Sequence, residues 1–195
     1  MRETVAQLEL SIGGMLYAIT TADGKFVLID CGVFCEADEE RLYRYLKERA
    51  NGEIVIAAWL FTHGHYDHID LATQFMNRHR EEIKIERILY NIPTKGFDFN
   101  GYDAGGKDAA YEEAWFSAVK SYPEADLHEV RTGEEFSFSG LTVKVLTSAY
   151  DRYPDPPTNR NETSAFTASK HSCVATARPW CATWRISAFS SSGGQ

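Results

Sequence analysis

Long hydrophobic runs are missing from this chain. The longest is eight residues, Ile54 to Phe61, far short of the ~20 a membrane-crossing helix needs. An apolar leader is missing too: Met1-Arg2-Glu3-Thr4 opens onto alternating residues, so no signal peptide is expected. There is no cysteine framework. Four cysteines, Cys31, Cys35, Cys173 and Cys181, show no disulfide or zinc-ribbon spacing, and a reduced, cytoplasmic setting is expected. There is no basic cluster either. Lys and Arg number 20 against 28 Asp and Glu, for a net charge of −8. That balance argues against an electrostatic grip on a nucleic-acid backbone, and does not exclude a small phosphate ester as substrate, because bound metal would carry the local positive charge.

What is present suits a globular α/β domain. A length of 195 residues with 44% apolar and 25% charged content can bury a real core. Residues 4–12, 15–20 and 25–30 read as short strands with turns at Gly13-Gly14 and Ala22-Asp23-Gly24, an antiparallel meander. Residues 37–50 read as a helix, with Asp38, Glu39 and Glu40 in the first turn, Lys47 and Arg49 in the last, and Leu42, Leu46 and Ala50 on one face. Ile54 to Phe61 is apolar throughout, the mark of a strand buried on both faces. A helix over 69–79 and a strand over 84–90 follow, and this alternation predicts parallel pairing. Residues 91–107 form a glycine- and aromatic-rich loop. A helix over 108–122 carries Tyr111, Trp115, Ala118 and Tyr122 on one face as core. Strands over 127–130, 135–138 and 141–146 complete the pattern.

Directly after the buried run stands Phe61-Thr62-His63-Gly64-His65-Tyr66-Asp67-His68. Four candidate metal ligands, His63, His65, Asp67 and His68, fall within six residues. Imidazole and carboxylate suit a borderline cation such as Zn²⁺. His63 and His65 are two apart, so an extended backbone points both rings one way. Asp67 and His68 are adjacent and should diverge, so the chain is expected to turn there and serve a second cation. His79 reads as a surface helix residue rather than a ligand, and His128 as structural.

The stretch Thr62 to His68 resembles the signature of the metallo-β-lactamase superfamily of metal-dependent hydrolases. Phe26-Val27-Leu28-Ile29-Asp30-Cys31-Gly32 resembles that family's strand ending in Asp-x-Gly. The resemblance spans about residues 5 to 165. It implies the metallo-β-lactamase fold, an α/β architecture of four-layer αββα type, of which this chain would hold the first half to two-thirds with an incomplete second sheet. It implies a hydrolase in which one or two Zn²⁺ ions activate water against an ester, phosphodiester or lactone bond. His63 and His65 would hold the first ion, and Asp67 and His68 the second. Asp67 would also orient the water or take its proton, and Asp30 would support the site from outside the metal shell.

The resemblance then thins. No third histidine follows Leu146, and Asp151 is the candidate substitute. Pro154 to Pro157 and then Asn161-Glu162-Thr163-Ser164 resemble the branch related to competence proteins. The Gly-Asp strand end and the later histidine that such members carry are missing. No acidic residue follows Glu162, whereas residues 163–195 hold two of the four cysteines, two of the four tryptophans and seven serines. The expected division is a domain over 1–165 and an anomalous tail over 166–195. That tail would be out-of-frame translation beginning near residue 168; a genuine divergent or disordered tail is the alternative. A defective, truncated chain with a partial metal site is accordingly the competing functional reading.

Overall fold

The computed structural model describes residues 3–93, 107–152 and 167–169. Its main sheet runs β1 (Thr4–Gln7), β2 (Tyr17–Thr20), β3 (Phe26–Ile29), β4 (Ile54–Phe61), β6 (Arg87–Tyr90) and β7 (Asp126–Glu129). A short β5 (Ile83–Ile85) also lies beside the start of β4. The first three strands pair antiparallel, and every pairing from β3 onward in this sheet is parallel. The switch follows from the connections. A loop over residues 8–16 and a short turn over 21–25 join β1 to β2 and β2 to β3, whereas α1 (Glu36–Arg49) and α2 (Tyr66–Arg78) carry the chain across the sheet between parallel strands. A second sheet contains β8 (Glu135–Phe138), β9 (Leu141–Lys144) and β10 (Thr167–Ser169), all antiparallel.

Side-chain alternation along β3 and β4 separates two cores. Phe26, Leu28, Ile56 and Trp59 join the helix-side core with Leu42, Phe75 and Trp115. Val27, Ile29, Ala58 and Leu60 face Val143 and Val145 beside the second sheet. Helices, main sheet and second sheet thus form three layers. The fourth layer of the expected αββα stack, the loop over 94–106 and the tail beyond Ser169 lie outside the described residues. Of the anticipated anomalous tail, the structure describes only Thr167–Ser169, which pair with β9 through Thr142 to Lys144.

Several boundaries differ from expectation. The first strand ends at Gln7 rather than residue 12, because Leu8 and Leu10 both turn their side chains into the helix-side core. The strand expected over 84–90 is two strands broken at Glu86, whose side chain pairs with Lys25 at 2.9 Å while its backbone N–H donates to Ile56 O. In α1, Asp38 does more than complement the helix dipole. It is buried, and accepts from Ser11 N and Ser11 Oγ at 2.7 Å each, which fastens the loop after β1 to the helix. Leu42 and Leu46, Trp115, Ala118 and Tyr122 are core residues as anticipated.

The largest difference concerns α2. It begins at Tyr66, not at residue 69, with His65 as its N-cap residue. Asp67 and His68 therefore occupy its first turn, and the expected turn between them is a helix start. Asp67 suits that place, because a carboxylate in a first turn meets the positive end of the helix dipole. Two glycines make room for this entry. Gly14 has φ +101°, and a Cβ there would stand 2.0 Å from Asp67 O and 2.6 Å from Gly32 Cα. Gly32, at φ +90°, receives Leu71 N on its carbonyl, while Cys31 N donates to His68 O.

Candidate metal centre

The site lies at the carboxyl ends of the parallel strands β3, β4 and β6, where open α/β sheets bind ligands. Asp30 follows β3, Thr62 and His63 follow β4, and Asn91 follows β6. All four are buried. Asp30 adopts a left-handed backbone, φ 51°, which an aspartate tolerates better than most residues. Its position is over-determined: its N–H donates to Leu60 O at 2.8 Å, and its C=O accepts from the Trp59 indole at 3.2 Å.

The Asp30 carboxylate is the hub. Thr62 N donates to Oδ1 at 2.8 Å, Thr62 Oγ1 lies 2.8 Å from Oδ2, and His68 Nδ1 lies 2.9 Å from Oδ2. Thr62 Oγ1 is also 2.8 Å from His63 Nδ1. The network assigns the protons. A carboxylate only accepts, so the single Thr62 hydroxyl proton goes to Asp30. His63 Nδ1 must then donate to Thr62 Oγ1, and His68 Nδ1 donates to Asp30 directly. Both rings are left with Nε2 lone pairs facing away from Asp30. One buried carboxylate thereby orients two histidines, one directly and one through a threonine.

The donors stand in two pairs. His63 Nε2 is 3.2 Å from His65 Nδ1. Two nitrogens bound tetrahedrally to one Zn²⁺ at the usual ~2.0–2.1 Å stand about 3.3–3.4 Å apart, so this pair fits one ion. His68 Nε2 is 3.8 Å from Asp67 Oδ2. Nitrogen and oxygen donors at ~2.1 Å from one cation are at most about 4.2 Å apart, so this pair fits a second ion at a wide angle. Among the described residues, no three His, Cys, Asp or Glu side chains close on one point tightly enough to hold an ion.

Cys31 is not available as a thiolate. Burial above all, with the charges of Asp30, Asp38 and Asp70 added, pushes its pKa well up. Asp151, the candidate replacement for a third histidine, braces its own loop instead: Oδ2 accepts from Ser148 N at 2.9 Å and from Thr132 Oγ1. His128 pairs with Glu134 at 3.0 Å and His79 with Glu82 at 2.9 Å, both away from the motif.

Burial pulls the pKa of His68 down, but the charge and hydrogen bond of Asp30, helped by Asp67, outweigh it and the net shift is upward. The folded metal-free chain therefore binds this proton more tightly than the unfolded chain. The stabilisation is fully present below about pH 6.5 and is lost as pH rises through the raised value. Thermal melting of the metal-free protein across that range should show stability falling with pH. A His68→Gln variant should lack this slope; an identical slope would refute the assignment.

Two supports of the site escaped the sequence reading. Thr62 was visible only as part of the motif, without its relay role. Asn91 gave no signal at all: its Nδ2 donates to Thr62 O at 3.1 Å and its Oδ1 accepts from Ala149 N at 3.0 Å, tying β4 to the segment after β9.

The profile described as the metallo-beta-lactamase superfamily matches residues 14–163. The chain belongs to that superfamily, whose members are generally metal-dependent hydrolases. No curated protein matches it. Among solved structures it is similar to a beta-lactamase domain protein from Burkholderia ambifaria, at 15% identity and TM-score 0.47, over 87% of this chain and 51% of that one. It is also similar to a metallo-beta-lactamase from Cronobacter sakazakii carrying a mutated HARLDQ motif, at 14% and 0.48, over 90% and 64%. A third is a metallo-beta-lactamase of Thermotoga maritima described as putative in its own name, at 13% and 0.42, over 86% and 74%. The chain thus spans between half and three quarters of the length of these three. Among the described residues no helix is long and apolar enough to cross a membrane.

Proposed function

We propose that this chain is a metal-dependent hydrolase that uses zinc-activated water on an ester, phosphodiester or lactone bond of a small molecule. The observation that carries the reading is the His63 Nε2 to His65 Nδ1 separation of 3.2 Å, matched to one Zn²⁺ and backed by the proton assignment that bares His63 Nε2. A bound ion would lower the pKa of its water and polarise the scissile group. His63 and His65 would hold it, with Asp67 and His68 offering the second position. Asp67, exposed enough to meet solvent, would orient the water or take its proton. Asp30 would fix the two histidines and touch no substrate. The net charge of −8 does not exclude a phosphate ester, because bound metal sets the local sign. Placement in the competence-protein-related branch is part of this proposal and rests on residues 154–164 of the sequence. A cytoplasmic setting likewise rests on cysteine usage, with Cys31 and Cys35 both free thiols.

A second reading, a defective chain with a partial site, is favoured by one observation: among the described residues no third donor joins either pair. The two readings separate in one experiment. The chain is loaded with zinc, and its hydrolysis of an aryl phosphodiester, an aryl ester and a lactone is followed before and after chelation. A hydrolase should bind stoichiometric zinc and lose turnover on chelation. His63→Ala and His65→Ala should each abolish both binding and turnover. Weak zinc and background rates, unchanged by His63→Ala, would establish the defective chain.

A further inference from the structure

Between the candidate ligands His65 and Asp67 stands Tyr66, which is 44% exposed. A single exposed aromatic is ordinary on a protein surface, but this one is neither single nor remote. It opens α2. Its ring centroid stands 5.6 Å from that of Tyr111 with the planes tilted by 35°, within the ~4.5–7 Å of attractive aromatic pairs. Tyr111 lies in α3 (Lys107–Lys120) and is half-buried against the helix-side core. Trp115, four residues on and so on the same face, meets Phe61 at the end of β4, with ring centroids 4.9 Å apart at 70°. Two aromatic pairs thus run outward along one face of α3. The inner pair, Phe61 with Trp115, is fully buried. The outer pair, Tyr111 with Tyr66, surfaces beside the metal-binding loop and leaves part of Tyr66 open to solvent.

Position and charge say what suits that open ring. The Cα of Tyr66 lies ~3.8 Å from those of both His65 and Asp67. The rest of a molecule whose scissile group sits at these ligands therefore lies beside the ring. Ligand sites are built largely from apolar and aromatic side chains around a few polar groups. The charges bordering the pair are all negative. Asp67 follows Tyr66 in sequence, Asp108 Oδ2 stands 3.9 Å from His65 Nε2, and a Cβ on Gly64 would come 2.0 Å from Glu112 Oε1. These carboxylates repel an anionic ring and leave an uncharged one unopposed.

We propose that Tyr66, backed by Tyr111, seats an uncharged aromatic ring of the substrate, which makes the preferred substrate an ester, phosphodiester or lactone with such a ring beside the scissile bond. The scissile bond rests on the hydrolase reading; the seating of the ring does not. The test uses the whole zinc-loaded chain and two readouts. The first is kcat/KM for a phenyl and a methyl member of each substrate class. The second is ring-proton NMR of Tyr66, identified by comparison with Tyr66→Phe, during titration with benzamide and with acetamide. Tyr66→Ala should lower the phenyl-over-methyl ratio of kcat/KM about 3- to 10-fold. Tyr66→Phe should keep the ratio, and Tyr111→Ala should lower it by removing the backing. Benzamide should shift the Tyr66 ring signals and acetamide should not. Should Tyr66→Ala fail to fold, Tyr66→Leu, apolar but without an aromatic face, carries the same ratio. A pair that only pins α3 to the loop would change both substrates alike, and an unchanged ratio overturns the proposal. A chain without turnover whose Tyr66 ring answers benzamide alone upholds the seat and removes the hydrolase reading instead. A chain without turnover whose Tyr66 ring ignores benzamide overturns both.

Discussion

Asp30→Ala is expected to destabilise the chain by about 3–5 kcal/mol and to abolish zinc binding at both positions. The magnitude is that of removing one partner from a buried, hydrogen-bonded ion pair. His68 and Asp30 are such a pair, with side chains 9% and 0% exposed. The loss extends beyond His68. Thr62 N and Thr62 Oγ1 both lose their acceptor, and an orphaned buried donor costs about 1–3 kcal/mol. For a domain stable by ~5–15 kcal/mol, this is a large fraction of the whole. Chemical denaturation of the metal-free variant measures it. Asp30→Asn tolerates the left-handed backbone and keeps one acceptor, so it should retain more stability than alanine. It should still lose zinc, because its amide cannot accept from both Thr62 and His68 as the carboxylate does. Thr62→Ala cuts only the relay to His63 and should spare the His68 contact. An Asp30→Ala protein that melts and binds zinc like the parent would refute the hub.

Gly14→Ala is expected to have the second-largest effect, although Gly14 carries no functional group. A non-glycine residue held at φ +101° bears roughly 1–3 kcal/mol of strain. The added Cβ also meets backbone on two sides, Asp67 O at 2.0 Å and Gly32 Cα at 2.6 Å, and neither can swing aside as a side-chain tip would. The first turn of α2 must move, taking Asp67 and His68 with it. Gly64→Ala is the internal control. It meets only the end of the Glu112 side chain, which can rotate away, so it should cost far less stability. Melting temperatures of the two variants decide the point: equal losses would mean that the approach of Gly14 to Asp67 does not position the helix.

The sequence made the scaffold of the site legible because its signals are local. An unbroken apolar run places β4 between two cores, and the motif after Phe61 needs only the next few residues to be read. The i, i+4 stripes of α1 and of the helix Lys107–Lys120 are local too, and Leu42, Leu46, Trp115 and Tyr122 are core as their spacing implies. The start of α2 was not legible. His65, Tyr66, Asp67 and His68 are indifferent helix formers, and His65 makes no side-chain cap; the entry is fixed by the distant glycines 14 and 32 instead. The support Asn91 belongs to no pattern. It is a lone polar residue whose meaning comes from a neighbour 29 positions away in the sequence. Asp151 shows the converse: it was a reasonable candidate by type, but the structure engages it with Ser148 and Thr132.

The placement of β4 between two cores has a consequence in time. Opening events in a folded protein begin where contacts are few and reach doubly covered strands last. Thr62 and His63 continue such a strand, whereas Asp67 sits in the first turn of α2, where the leading N–H groups have no partner within the helix. The two halves of the site should therefore exchange amide hydrogen on different clocks. Protection at Leu60 to Thr62 should approach that of global unfolding, and protection at Asp67 should be lost much earlier. The His63 side would then persist as a fixed template while the Asp67 side opens and recloses against it many times within the lifetime of one folded molecule.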